Sequence, residues 1–287
     1  MVSDQQRVSI ISEALPYIRQ FSGKTFVIKY GGASMTNPAL KKKVIEDIAL
    51  LRYVGVLPIV VHGGGPEINQ MLGRLSIESK FKDGLRITDQ PTMEIVEMIL
   101  CGKVQKELVG LLNQSGARAV GLSGKDGTLM LAERLSDENF DWGLTGEIES
   151  VNTEILEVLI QSGYVPVISS VAPGQDGQSY NVNADTVAAR LAIALKAEKL
   201  ILLTDTPGIL KNKDDKQSLI HKLKINEVQN LIENKIIGGG MIPKVHSAIQ
   251  ALEAGVGSVH ILDGTFEHVV LLETFTEAGV GTMIVKD

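Results

Sequence analysis

Seven runs of the chain are almost continuously apolar: "TFVIKYGG" (25–32), "LPIVVHGGG" (57–65), "ARAVGLSG" (117–124), "YVPVISSVA" (164–172), "KLILLTD" (199–205), "SVHILDG" (258–264) and "GTMIVKD" (281–287). Runs of this length without polar alternation mark strands buried on both faces, as in a mostly parallel sheet covered by helices. Between them the period changes. Leu40, Val44, Ile48 and Leu51 recur at helical spacing in 38–54, and 184–196 and 241–254 read the same way. In 92–114, Ile95, Met98, Ile99, Leu108, Leu111 and Leu112 recur less regularly. Alternating strands and helices predict an α/β fold, a three-layer αβα sandwich around a mostly parallel central sheet.

Two stretches break the alternation. Residues 129–151, with Gly143 and Gly146, read as a β-hairpin excursion, and "PGQDGQSYN" (173–181) as a second turn with Asp176-Gly177 as its hairpin signal. A lobe boundary is expected here, separating 23–179 from 180–287. Ahead of the first strand, in 1–22, Val8, Ile11, Leu15 and Ile18 form a short amphipathic stripe. Pro16 is expected to kink or end that helix. The stripe packs either on its own domain or on another subunit, and the pattern alone leaves both open.

Composition removes whole classes of function. A chain of 287 residues with 44% hydrophobic and 22% charged residues is an ordinary globular protein. Net charge is −6 and aromatics are 4%, so neither a basic nucleic-acid surface nor a stacking platform for single strands is expected. The one cysteine, Cys101, rules out a disulfide framework or a cysteine zinc site within the chain; it reads as a small buried hydrophobe in a reducing compartment. No apolar run approaches a membrane span, and the N-terminus is too polar for a signal peptide.

The familiar phosphate and nucleophile fingerprints fail. No GxxxxGK[ST] is present, no strand leads into GxGxxG, and "GLSGKDG" misses GxSxG because Lys125 stands at the last position. The five histidines show no metal-ligand pairing. What remains is glycine at strand ends. "VIKYGG" carries Lys29, Gly31 and Gly32; "VVHGGGPE" carries Gly64 and Gly65 and opens a helix at Pro66; "GGGMIPK" (238–244) opens another and delivers Lys244. Backbone N–H groups at such turns and helix N-termini suit an anion. "NVNAD" places Asn181, Asn183 and Asp185 on one side of an extended segment, although Asp185 also reads as a plain N-cap. Arg86 in "GLRITD" is a surface arginine or a carboxylate clamp. Asp205 in "LLTDTPGIL" ends a buried strand, a common ligand position in parallel sheets.

In their order KxGG, HGGGP, GLRxTD, NxNAD, LLTDxxGI and GGMxxK, these segments resemble the amino-acid kinase family, over about Phe26 to Val285. The likeness is to members that phosphorylate the side-chain carboxylate of N-acetyl-L-glutamate with ATP in arginine biosynthesis, with Mg2+ carried by the nucleotide and no metal bound directly by protein. Carried over, it implies catalytic roles for Lys29, Lys244, Asp185 and Gly32: the lysines face the phosphates, Gly32 donates a backbone N–H, and Asp185 holds both lysines. It implies substrate contacts for Gly64, Gly65, Arg86 and Asn181. Asp205, Thr206, Pro207, Gly208, Ile209, Leu210, Ile236, Ile237, Gly238, Gly240 and Met241 would line the nucleotide. The amino-acid substrate would then sit in lobe 23–179 and the nucleotide in lobe 180–287.

The chain is also similar to the arginine-inhibited cyanobacterial and plastid branch. That implies a homohexamer linked by N-terminal helices, arginine contacts near His268, Glu277 and Gly281, a PII-type signalling protein as partner, and a cytoplasmic or plastid-stroma location. The competing expectations are another kinase of the fold, for aspartate, glutamate, carbamate or UMP, and a catalytically inactive sensor of arginine or nitrogen.

Overall fold

A computed structural model describes residues 3–277 and 279–287. All seven apolar runs become strands of one eight-stranded sheet: β1 (Thr25–Tyr30), β2 (Leu57–His62), β3 (Ala119–Leu122), β4 (Val165–Ser169), β5 (Lys199–Thr204), β7 (Ser258–Asp263) and β8 (Thr282–Val285), with β6 (Lys222–Lys224) added at one edge. The order across the sheet is β6-β8-β7-β5-β1-β2-β4-β3. Neighbours are parallel except β7 and β8. β6 was not expected, because "KLK" is too short and too polar to announce a strand.

Alternate residues of each central strand enter opposite layers. Val27, Ile59, Val61, Leu200 and Leu202 join one core cluster, under the helices Ala184–Ala194 and Met241–Glu253. Phe26, Ile28, Val60, Ile201 and Leu203 join the other, with the helices Pro38–Tyr53 and Gln105–Gln114. Burial on both faces is why these strands read as unbroken apolar runs.

Strands built before residue 180 occupy one half of the sheet, from β1 to β3; those built after it occupy the other, from β5 to β6. β1, β2, β4 and β5 are parallel, so their carboxyl ends emerge together, on either side of the point where the chain changes direction across the sheet. Open α/β sheets hold their ligands in that crevice.

Both expected excursions are hairpins of a second, four-stranded sheet. Met130–Arg134 pairs antiparallel with Thr145–Val151, and Val171–Pro173 with Ser179–Val182. A separate two-stranded hairpin, Lys80–Lys82 with Leu85–Ile87, carries Arg86. The N-terminal helix runs Asp4–Phe21, starts in a Ser3–Gln6 capping box, and continues through Pro16 rather than ending there. Val8, Ile11 and Leu15 on it are 63%, 67% and 50% exposed.

The irregular pattern of 92–114 has a geometric cause. The helix Gln90–Glu97 passes into a π-helical turn, Met98–Val104, before resuming as Gln105–Gln114. A π turn inserts one residue per turn and shifts the phase of everything after it. Cys101 lies in this turn, half-buried, with its Sγ 3.2 Å from Ser169 Oγ. Among the described residues no helix is long and apolar enough to cross a membrane.

Candidate active site

Lys29 is the penultimate residue of β1, and Asp185 lies in the first turn of the helix Ala184–Ala194. The cap of that helix is Asn183, whose side-chain oxygen accepts the N–H groups of Asp185 at 2.8 Å and Thr186 at 3.3 Å. Asp185 is therefore not the cap, and its carboxylate is left for other partners. One oxygen lies 3.1 Å from Lys29 Nζ, and the other accepts a short hydrogen bond from Lys244 Nζ. Lys244 arrives from the opposite half of the molecule, on the helix Met241–Glu253. Burial alone would push the Asp185 carboxyl up; the charges of Lys29 and Lys244 outweigh it and hold the group below the usual carboxylate range.

The strand-end glycines make room first for the protein itself. A side chain on Gly31 would run into the Lys29 ammonium, and one on Gly32, at φ +77°, into the Asp205 carboxylate. Gly64 is packed on the π turn: a Cβ there would lie 2.7 Å from Leu100 and 3.2 Å from Val104. Gly65 faces open space.

Three clefts meet at this centre. The largest, about 530 Å³, is lined by Asp205, Thr206, Pro207, Gly208, Ile209, Leu210, Ile236, Gly238, Gly240, Met241 and Lys244. Ile237 departs from expectation: it is buried in the hydrophobic core, because its neighbour Ile236 takes the cleft-facing position. Thr204, Lys213 and Lys216 also line this cleft. The two lysines lie in "LKNKDDKQS", an aperiodic polar loop with no signal to single them out. A middle cleft is bounded by Lys29, Gly31, Gly32, Gly64, Gly65 and Asp185. It shares Gly63, Gly64, Gly65, Asn183 and Ala184 with a third, which adds Arg86, Asn181, Thr145 and Leu100. Lys244 closes the first cleft and Lys29 the second, with Asp185 between them.

Arg86 is a buried cation. Its guanidinium donates to Asn69 Oδ1 at 2.8 Å and to Ser79 Oγ, and stacks 4.6 Å from the centre of the Phe81 ring. Burial lowers its pKa to about 10. No carboxylate pairs with it among the described residues, which leaves an uncompensated cation on the wall of the cleft, suited to an anion.

His268, Glu277 and Gly281 are not among the residues that line the three clefts. His268 Nδ1 lies 2.6 Å from Asp47 Oδ1, the Gly281 N–H donates to Glu273 Oε2 at 3.2 Å, and Glu277 is exposed. No hydrogen bond or ion pair joins the three among the described residues. No cluster of three or more His, Cys, Asp and Glu side chains suited to a metal ion is present among the described residues.

The family model described as the Amino acid kinase family matches residues 24–263. The chain belongs to the amino acid kinase family. The matched span contains every member of the Lys29–Asp185–Lys244 centre, Arg86, Asn181 and the residues of the large cleft; only His268, Glu277 and Gly281 lie beyond it. Among related proteins, the acetylglutamate kinase of Prochlorococcus marinus (strain MIT 9303) is 57% identical over 98% of this chain and 91% of its own. A solved N-acetylglutamate synthase from Neisseria gonorrhoeae, complexed with coenzyme A and N-acetyl-glutamate, superposes with a TM-score of 0.87 at 28% identity over 98% of this chain. The same enzyme complexed with coenzyme A and L-arginine gives 0.82 at 26% identity over 98% of this chain. This amino acid kinase spans 63% and 65% of the lengths of those two synthase chains.

Proposed function

We propose that this chain is an acetylglutamate kinase, transferring the γ-phosphoryl group of MgATP to the side-chain carboxylate of N-acetyl-L-glutamate. The observation that carries the reading is Asp185 gripped by Lys29 and Lys244 where a nucleotide-sized cleft meets one lined by an unneutralised arginine. The 57% identity to a relative bearing that name supports it.

In this reading the nucleotide lies along Asp205–Leu210 and Ile236–Met241, with its phosphates reaching the middle cleft. The amino acid lies between Arg86 and Asn181, its α-carboxylate on the guanidinium. The nucleophile is already ionised near pH 7, so no general base is needed. One carboxylate oxygen forms a bond to the γ-phosphorus, the bond from that phosphorus to the β–γ bridging oxygen breaks, and ADP leaves with the electron pair. The barrier lies in bringing anions together and in the charge on the transferring oxygens, so the enzyme contributes position and electrostatics. At an effective dielectric near 20, a lysine ammonium about 4 Å from a phosphoryl oxygen contributes roughly 4 kcal/mol. Two lysines on opposite sides supply that twice, and backbone N–H groups at Gly32, Gly64 and Gly65 add donors. Asp185 keeps the two ammonium groups from splaying before substrate arrives.

The finer expectations belong to the same proposal: arginine as feedback inhibitor, association through the N-terminal helix into a hexamer, a PII-type partner, and a cytoplasmic or stromal location. The exposed Val8–Ile11–Leu15 stripe supports association, and the arginine-bound synthase supports arginine recognition on a related fold. The test is an ATP-dependent assay offering acetylglutamate, glutamate, aspartate and UMP, each with and without arginine. Turnover of acetylglutamate alone, suppressed by arginine, is expected. Preferential turnover of another acceptor, or none, overturns the reading.

A further inference from the structure

Arg86 and Asn181 come from different sheets, yet the acid-binding cleft depends on the distance between them. Arg86 lies on the two-stranded hairpin, and Asn181 on the four-stranded sheet, where its register partner is Thr145. What joins them is a pair of buried hydroxyls. Thr88, two residues after Arg86, is fully buried, and Thr145 is 3% exposed. Their hydroxyl oxygens are 3.1 Å apart. Both donate to the Arg86 carbonyl, Thr88 at 3.2 Å and Thr145 through a short hydrogen bond. Thr88 Oγ1 in turn accepts from Asn181 Nδ2 at 3.1 Å. The backbone reinforces the seam: Leu144 N–H donates to Thr88 O at 2.6 Å, and Asn181 N–H donates to Leu144 O at 2.9 Å.

We propose that Thr88 and Thr145 are positioning residues for the amino-acid substrate, fixing both the Arg86–Asn181 span and the orientation of the Asn181 amide. The amide nitrogen is committed to Thr88, while Asn181 Oδ1 makes no hydrogen bond within the described residues. Thr88 thereby determines that the carbonyl end of the amide is the end available in the cleft. A valine at either position keeps the shape and removes the hydroxyl. A serine keeps the hydroxyl and loses only a methyl group. A structural role in packing favours valine, and a positioning role favours serine.

The inference rests on the acetylglutamate reading, and the experiment separates the two. Steady-state kinetics of Thr88→Val, Thr88→Ser, Thr145→Val and Thr145→Ser are compared with wild type, varying acetylglutamate and ATP in turn. Each valine variant is expected to raise the KM for acetylglutamate about tenfold, the scale of one orphaned buried hydrogen-bonding group, and to leave the KM for ATP unchanged. Each serine variant is expected to stay within about twofold of wild type. Wild-type turnover with an unchanged acetylglutamate KM in the valine variants, or with serine as impaired as valine, overturns the positioning role. If Thr88→Val does not fold, Thr145→Val carries the same split, since it removes a hydroxyl from the same carbonyl. Absence of wild-type turnover overturns the functional reading, and this inference with it.

Discussion

A cation at the end of a buried strand is a liability unless something anionic meets it, and Lys29 meets Asp185. The same carboxylate serves Lys244, so three charges form one unit. Lys29→Ala or Lys244→Ala is expected to lower kcat by about 10²–10³ or more, by analogy with the loss of an oxyanion donor, and near-normal turnover in either purified variant would remove that lysine from the chemistry. Arg86→Ala is expected to raise the KM for the acid and spare that for ATP; the reverse pattern would put the acid elsewhere. His62 makes a different prediction. It is fully buried at the end of β2, with Nδ1 2.9 Å from Gly63 O, and burial lowers its pKa to about 4. In the unfolded chain it returns to about 6.5. The unfolded state therefore binds a proton that the folded state refuses, and stability present above pH 6.5 is lost as the pH falls toward 4. Denaturant unfolding of wild type and His62→Asn should differ in slope across that window; parallel curves would refute it. Single residues were unevenly legible in the sequence. Lys29, Lys244 and Asp185 stood out because each accompanied a glycine turn or a helix start. Thr88 and Thr145 did not, because a buried threonine in or beside a strand is common and only the fold brings their hydroxyls within 3.1 Å.

At the level of elements, the sheet strands other than β6 were readable because burial on both faces leaves few polar residues to interrupt them. The π turn was not, since one inserted residue changes the phase without changing the composition. It nonetheless borders the Arg86 cleft through Leu100, and presses Leu100 and Val104 onto Gly64. Gly64→Ala should therefore destabilise the protein by about 1–3 kcal/mol, the usual cost of overpacking. Leu100→Ala in the same chain should relieve part of that. A thermal-melt double-mutant cycle measures the coupling, and strict additivity would show that the two do not touch. The hydrogen bonds of Asn113 with both the N–H and the C=O of Ala119, at 3.0 and 3.4 Å, occupy the edge strand β3 in place of a further strand.

Across the whole molecule, Lys29 comes from β1 and Lys244 from the helix Met241–Glu253, while the Arg86 cleft draws on the two-stranded hairpin, the four-stranded sheet and the π turn. The centre joins residues as far apart in the chain as Lys29 and Lys244, which is why short motifs pointed to it in combination and not singly. The N-terminal helix stands outside that requirement. Deleting residues 1–20 is expected to preserve turnover and reduce the assembly size, read by sedimentation; an unchanged sedimentation coefficient would leave the exposed stripe without its partner. The order of the sheet also bears on synthesis. β1 is made first among the strands, yet its neighbour β5 is not complete until residue 204. As the chain leaves the ribosome, β1 must wait with one edge unpaired while roughly 170 residues are added, estimated at about 10–35 s at 5–20 residues per second. That exposed, apolar edge is where a nascent chain of this protein is most open to pairing with the wrong partner.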